Sequence, residues 1–269
     1  MDTRNNSFLD TAKPRKAVEA LNPYSAPLEG RRNLLRLDFN ENTIGPSPLV
    51  IKALREISRE EISIYPEYSG LKEQLVKNLR KKDPQLSITS SEIGIFNGVD
   101  AAINAIFHAY GEDNEVMLTT SPTFGYYTPC AQMRGMRIKS IPYEGIDFRY
   151  PFNKICECIT QNNPKILLIC NPNNPTGTRL NPERIIEIAK LSSKTLVVVD
   201  ELYEAFTSDS VLQFVNFQKI PNLVVLRSLS KTAGLAGLRI GFAIGNPKVI
   251  NIVNRVTGPY DVNSFAVIA

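Results

Sequence analysis

Between Ile93 and Leu226 short apolar runs rich in β-branched residues alternate with longer amphipathic stretches. Six runs read as strands: Ile93–Phe96, Glu115–Thr119, Arg137–Ile141, Ile166–Cys170, Leu196–Val199 and Leu223–Leu226. Helical spacing fills several of the gaps. Ile103, Ile106, Phe107 and Tyr110 fall on one face of a helix over 102–110, and Ile185, Ile186, Ile188 and Ala189 follow a start marked by Asn181-Pro182. Upstream, Ser47 as cap and Pro48 in the first turn open a helix carrying Val50, Ala53, Leu54 and Ile57. A second helix, after Gly70, places Leu71, Leu75 and Leu79 together. Strands alternating with helices predict a three-layer α/β/α fold with a mostly parallel central sheet. Residues 1–16 are polar and expected to be flexible, and Leu21-Asn22-Pro23-Tyr24 opens an extended lead. The chain therefore divides into an N-terminal arm and extended segment, 1–44, and one large domain, 45–269.

Composition narrows the class. The 269 residues are 43% hydrophobic and 22% charged, without repeats or low-complexity blocks, as in an ordinary globular enzyme. A net charge of +4 spread along the chain gives no support for nucleic-acid binding. No apolar run approaches the ~20 residues that span a bilayer, and the start lacks an apolar signal core, so a cytoplasmic protein with no membrane partner is expected. Four cysteines lack CxxC spacing and have only His108 to help them, which argues against a metal site and a disulfide framework.

Ligands of parallel sheets bind beyond the carboxyl ends of the strands, so those positions carry the candidate chemistry. After the first strand, Asn97-Gly98-Val99-Asp100 enters a helix directly; its free amides suit a phosphate, and Gly98 permits close approach. Ser121-Pro122-Thr123-Phe124-Gly125-Tyr126-Tyr127 follows the second, and Phe124 is preferred to its neighbours as a ring that stacks on a flat heteroaromatic; the alternative is a core ring. Two prolines and a glycine stiffen Asn171 to Gly177, which would hold Asn174 as a fixed hydrogen-bond donor. A buried strand delivers Asp200, a carboxylate costly to bury unless a cation such as a protonated pyridine meets it; Tyr203 could bond a ring oxygen. Asp200 as a cap and Tyr203 as a core ring remain the alternatives. Finally Arg227-Ser228-Leu229-Ser230-Lys231 combines hydroxyls with an amine able to form a Schiff base, ahead of Arg239 in Gly234 to Gly241. Pyridoxal phosphate is the cofactor these strand ends suit together.

Leu37-Asp38-Phe39-Asn40-Glu41-Asn42 with Gly45-Pro46-Ser47-Pro48, Tyr65-Pro66-Glu67, Asn97 to Asp100, Asn171 to Gly177, Asp200-Glu201-Leu202-Tyr203, Ser228 to Lys231 and Gly237 to Gly241 resemble the motifs of fold-type I pyridoxal-phosphate enzymes, aminotransferase class I/II. Within them the chain is most similar to the histidinol-phosphate aminotransferases. The resemblance runs from about Leu21 to the last residue, and its class-level motifs are more specific than its subfamily features. It implies the large domain of the pyridoxal-phosphate transferases and transamination between an amino-phosphate (histidinol phosphate) and a 2-oxo acid (2-oxoglutarate), in histidine biosynthesis. Lys231 would carry the cofactor as a Schiff base and move the proton at the substrate α-carbon. Asp200 would pair with the pyridinium, Asn174 and Tyr203 bond the ring oxygen, and Phe124 stack on the ring. Gly98, Val99, Asp100, Ser228, Ser230 and Arg239 would hold the phosphate, joined by Tyr65 from the other subunit of a homodimer. Asn40 would lie near the substrate, or simply order its loop.

Family members run on for roughly another hundred residues into a small C-terminal domain, which supplies an arginine for the substrate carboxylate. This sequence stops at Ala269, so that domain is expected to be missing and no residue takes the clamp role. Threonine-phosphate decarboxylase and an aromatic aminotransferase are alternatives in the same class. From another class comes a truncated, non-catalytic protein that binds the cofactor or a partner. A nucleotide-binding dehydrogenase is disfavoured, because no GxGxxG follows the first strand.

Overall fold

The computed structural model of the chain describes residues 12–22 and 29–269. Its helices are α1 (Lys16–Glu19), α2 (Pro48–Arg55), α3 (Arg59–Ser63), α4 (Ser69–Lys82), α5 (Gly98–Tyr110), α6 (Tyr127–Met133), α7 (Phe152–Asn162), α8 (Pro182–Leu191), α9 (Pro247–Asn254) and α10 (Ser264–Ile268). Its strands are β1 (Ile93–Phe96), β2 (Val116–Ser121), β3 (Arg137–Pro142), β4 (Ile166–Cys170), β5 (Leu196–Asp200), β6 (Leu223–Ser228) and β7 (Gly241–Gly245). They form one sheet in the order β1-β7-β6-β5-β4-β2-β3. Every pairing is parallel except the two made by β7, which runs antiparallel to β6 and to β1. The three-layer, mostly parallel architecture expected from the sequence is the one observed.

The apolar strands are buried because successive residues serve opposite layers. Leu167, Ile169, Val197, Val199 and Val225 pack with Val76 of α4, Ile155 of α7 and Ile185 of α8. Ile166, Leu168, Val198, Val224 and Leu226 pack with Ile103 and Phe107 of α5, Cys130 of α6 and Val253 of α9. Register in the centre is set residue by residue, with Cys170 beside Asp200 and Asp200 beside Leu226. The ends of β4 and β5 are thereby level, and β6 runs two residues further along the same edge to Ser228.

Ser47 caps α2, accepting from the Leu49 amide at 3.3 Å, and Asn181 caps α8 from the Glu183 amide at 3.0 Å. α2 stops before Ile57, and α4 begins one residue ahead of Gly70. Residues 1–11 of the segment expected to be flexible lie outside the described residues, as do Pro23 and Tyr24 of the extended lead. In the described remainder, α1 begins at Lys16, and Arg15 donates to the Met133 carbonyl at the end of α6. No helix among the described residues is long and apolar enough to cross a membrane.

β7 is the strand that periodicity missed. Five residues with a glycine at each end carry little β signal, yet β7 brings Gly241 level with Ser228 and against the start of α5. A Cβ built on Gly241 would lie 2.5 Å from the Gly98 carbonyl carbon and 2.5 Å from the Val99 nitrogen, both backbone atoms. Gly241→Ala must therefore push β7 and α5 apart. It is expected to cost about 1–3 kcal/mol, read as a lower urea midpoint with an unchanged slope.

Candidate active site

The carboxyl edge of the parallel strands collects the candidate residues in two adjoining groups. The first is built from glycine geometry. Gly98, at φ +82°, opens α5 behind the non-helical Asn97, and a Cβ there would lie 2.5 Å from Nη2 of Arg239. Only glycine lets the guanidinium approach the helix start so closely. Nη2 of Arg239 donates to Asp100 Oδ2 at 2.9 Å, which holds the guanidinium at the first turn of α5. Ser228, the last residue of β6, accepts from the Ser230 amide at 3.0 Å, and the two hydroxyls lie 2.9 Å apart. A helix N-terminus, two hydroxyls and a guanidinium are groups that together could receive a phosphate dianion.

The second group surrounds Lys231. Its ammonium donates to the Phe39 carbonyl at 2.6 Å, and the next residue, Asn40, donates from Nδ2 to the Tyr203 hydroxyl at 3.0 Å. The segment before α2 thus straps Lys231 and Tyr203 together across nearly two hundred residues of sequence. Arg31 braces that strap through ion pairs to Asp38 at 2.7 Å and Glu41 at 2.9 Å. Asn42 donates to the Thr232 carbonyl at 3.1 Å. Burial lowers the pKa of Lys231, so more of it is free amine near neutrality than for a lysine in water. Burial likewise raises that of Tyr203.

Asp200 ends β5 at 2% exposure. Its Oδ2 accepts from the Tyr127 hydroxyl at 2.7 Å and its Oδ1 from the Leu202 amide at 3.1 Å. Burial nonetheless pushes the carboxyl up to about 6, with the Tyr127 hydrogen bond acting against it. Among the described residues no lysine or arginine forms an ion pair with Asp200. A buried carboxylate with hydrogen-bond donors but no cation is the environment that a protonated pyridine nitrogen would complete.

Phe124 sits edge-on to Tyr127, with centroids 5.4 Å apart and planes at 83°. In the Asn/Pro turn Asn171 and Asn173 are structural. Asn171 exchanges two bonds with Leu180, at 2.7 and 3.0 Å, and Asn173 bonds the Pro122 carbonyl, Thr123 and Thr176. They fix the turn around Asn174, whose amide reaches Cys170 Sγ at 3.4 Å beside Asp200. Tyr65 stands apart from both groups in this chain. At 68% exposure, it stacks on Tyr260 with centroids 3.8 Å apart.

Two features escape sequence reasoning. Tyr127, passed over for Phe124, is the side chain that holds Asp200. Behind the site, Arg227 on β6 donates to Glu201 at 2.9 Å, to Glu204 and to Ser210 at 2.7 Å, while Glu201 also accepts from the Ser210 hydroxyl and the Val211 amide, each at 2.7 Å. This buried network joins the turn after Asp200 to the strand that delivers Lys231. Its signal was an arginine and two glutamates beside apolar strands, where an unpaired charge would be prohibitive. A cavity of about 500 Å³ opens beside the network, between Leu71, Leu75 and Leu79 of α4 and the sheet. Lys231, Asp200 and Asn174 do not line it.

The family model for aminotransferase class I and II matches residues 32–269. A histidinol-phosphate aminotransferase of Clostridium novyi is 34% identical over 252 residues, covering 93% of this chain and 67% of that protein. One of Ruminiclostridium cellulolyticum is 31% identical, covering 94% and 69%. The structure of the Sinorhizobium meliloti histidinol-phosphate aminotransferase, in complex with pyridoxal-5'-phosphate, aligns with a TM-score of 0.82 at 22% identity, over 97% of this chain and 71% of that one. The chain thus spans about two thirds of the length of the relatives it matches.

Proposed function

Since this chain belongs to aminotransferase class I and II, we propose that it moves an amino group between an amino-phosphate, histidinol phosphate, and 2-oxoglutarate, as a step of histidine biosynthesis. Pyridoxal phosphate is the cofactor, carried as a Schiff base on Nζ of Lys231. Its aldehyde condenses with amines, and its protonated ring withdraws the electron pair left when a substrate α-carbon gives up its proton. The observation that carries this reading is Asp200: a buried carboxylate, short of a cation, at the strand end next to the one that leads to Lys231.

The residues divide the work. The amides of Val99 and Asp100, with Ser228, Ser230 and Arg239, would bind the phosphate, and Gly98 leaves the room. Asp200 would keep the ring nitrogen protonated, Phe124 would stack on the ring, and Asn174 and Tyr203 would donate to its phenolic oxygen. Lys231 Nζ would take the proton from the substrate α-carbon and return it on the product side. Asn40, bonded to Tyr203, would position the substrate. A homodimer is part of the proposal. Ile44, Leu49, Ile62, Ile64 and Tyr65 are exposed on the segments that flank the strap, a density of apolar side chains suited to a partner surface. Tyr65 would enter the partner's site.

The discriminating experiment is single-turnover half-transamination by the cofactor-loaded natural product of the gene, against histidinol phosphate, threonine phosphate and free aromatic amino acids. Bleaching of the visible band with histidinol phosphate, and its return with 2-oxoglutarate, is the expected result. Release of carbon dioxide from threonine phosphate, or a response confined to aromatic amino acids, would replace the substrate assignment. A chain that binds the cofactor yet turns over none of the panel would be a cofactor-binding protein without this activity.

A further inference from the structure

Tyr127 is 1% exposed, at the first turn of α6, and touches two members of the site at once. Its hydroxyl donates to Asp200 and its ring packs edge-on with Phe124. We propose that Tyr127 is a positioning residue for Asp200: its hydroxyl holds the carboxylate through a 2.7 Å hydrogen bond, and its ring fixes the plane of Phe124. This rests on the reading above that Asp200 serves the pyridine nitrogen of pyridoxal phosphate.

Charges from several elements bear on Asp200. Cys170 lies beside it on β4, Asp100 faces it from α5, Tyr203 follows on the next turn, and Lys231 comes after β6. Burial and Asp100 favour the protonated carboxyl; the Tyr127 and Leu202 hydrogen bonds and Lys231 favour the carboxylate. The backbone bond from Leu202 survives any side-chain change. Tyr127 is therefore the adjustable donor, and burial beside Asp200 raises its own pKa well above that of a free phenol, so it remains a donor over the working pH range. Without it Asp200 becomes more basic and competes with the pyridine nitrogen for the shared proton. A cofactor ring bound there would carry less positive charge, and the pH at which its visible band titrates would rise.

The test uses Tyr127→Phe, which keeps the ring and its contact with Phe124. In the cofactor-free protein, carboxyl ¹³C NMR with Asp200→Asn for assignment is expected to show the Asp200 midpoint rising by about one unit, the effect of losing one hydrogen bond to a charged group. In the loaded protein the pH midpoint of the visible band is expected to rise by roughly half a unit or more. Incorporating 3-fluorotyrosine at position 127, a stronger donor of nearly the same shape, is expected to move both midpoints the other way. Thermal unfolding of each variant separates these shifts from loss of fold. An Asp200 midpoint that moves by less than about 0.3 unit in folded Tyr127→Phe overturns the proposal. Should the wild-type protein bind no cofactor, the functional reading fails, while the NMR measurement still decides whether Tyr127 controls Asp200.

Discussion

Lys231→Ala is expected to remove the visible band of the cofactor-loaded protein and to abolish its labelling by borohydride reduction. The amine is half-buried, tied to the Phe39 carbonyl at 2.6 Å and shifted toward its free-base form by burial. Among the described residues no other lysine is held at this strand end by so short a tether, and the roles proposed for Lys231 are both covalent and proton-transferring. Positioned proton transfer alone contributes about 10²- to 10⁴-fold, so turnover should fall by at least about 10⁴-fold once the covalent role is lost with it. The fold should persist, because the phosphate receptor and the Asp200 pocket do not depend on the lysine. Retention of the band, or reductive labelling at another lysine, would move the attachment point and with it the proposed mechanism.

Asp200→Asn should act on stability and function in opposite directions. The carboxyl is raised from 3.8 to about 6 in the folded, cofactor-free chain, chiefly by burial. The folded state therefore holds the proton more tightly than the unfolded one. The stability this provides is complete below about pH 4 and is lost as pH rises through about 6. At pH 7.5 the buried carboxylate costs on the order of 3 kcal/mol. An amide carries no charge, and its one oxygen can still accept from Tyr127, while its NH2 faces the Leu202 amide and offsets part of the gain. Cofactor-free Asp200→Asn should then be more stable than the wild type at pH 7.5 by up to about 3 kcal/mol, with the difference closing toward pH 4, as urea titrations across that range would show. The loaded variant should instead gain less from added cofactor than the wild type and lose most of its turnover, because the ring nitrogen has no anion to hold its proton. A variant less stable at every pH would show that Asp200 contributes packing rather than a stored charge. Both outcomes together would show a site that trades stability for function.

Much of the fold was legible because a parallel sheet covered on both faces needs runs such as Ile166–Cys170 and Leu223–Leu226, and few other structures do. The strand ends were legible for a related reason: a charged or hydroxyl side chain next to such a run, as at Asp200 or Ser228, sits where burial is costly unless it serves something. Tyr127 was not legible. It stands three residues from Phe124 among rings of equal hydrophobicity, and only the turn into α6 decides which ring faces Asp200. The Arg227 network was hidden for a similar reason, since its partners Glu201, Glu204 and Ser210 belong to turns whose path periodicity does not describe.

The sequence by itself determined the layer architecture, the family and the ordered set of strand-end residues from Gly98 to Lys231, since each depends on local composition and on which residue follows which strand. Only the tertiary structure decided three further things: that β7 inserts antiparallel between β6 and β1 and sets Gly241 against Gly98, that residues 39 and 40 strap Lys231 to Tyr203, and that Tyr127 supports Asp200. Each of these is a contact between segments far apart in the chain, settled by packing and by the pairing of buried polar groups, neither of which has a period to read.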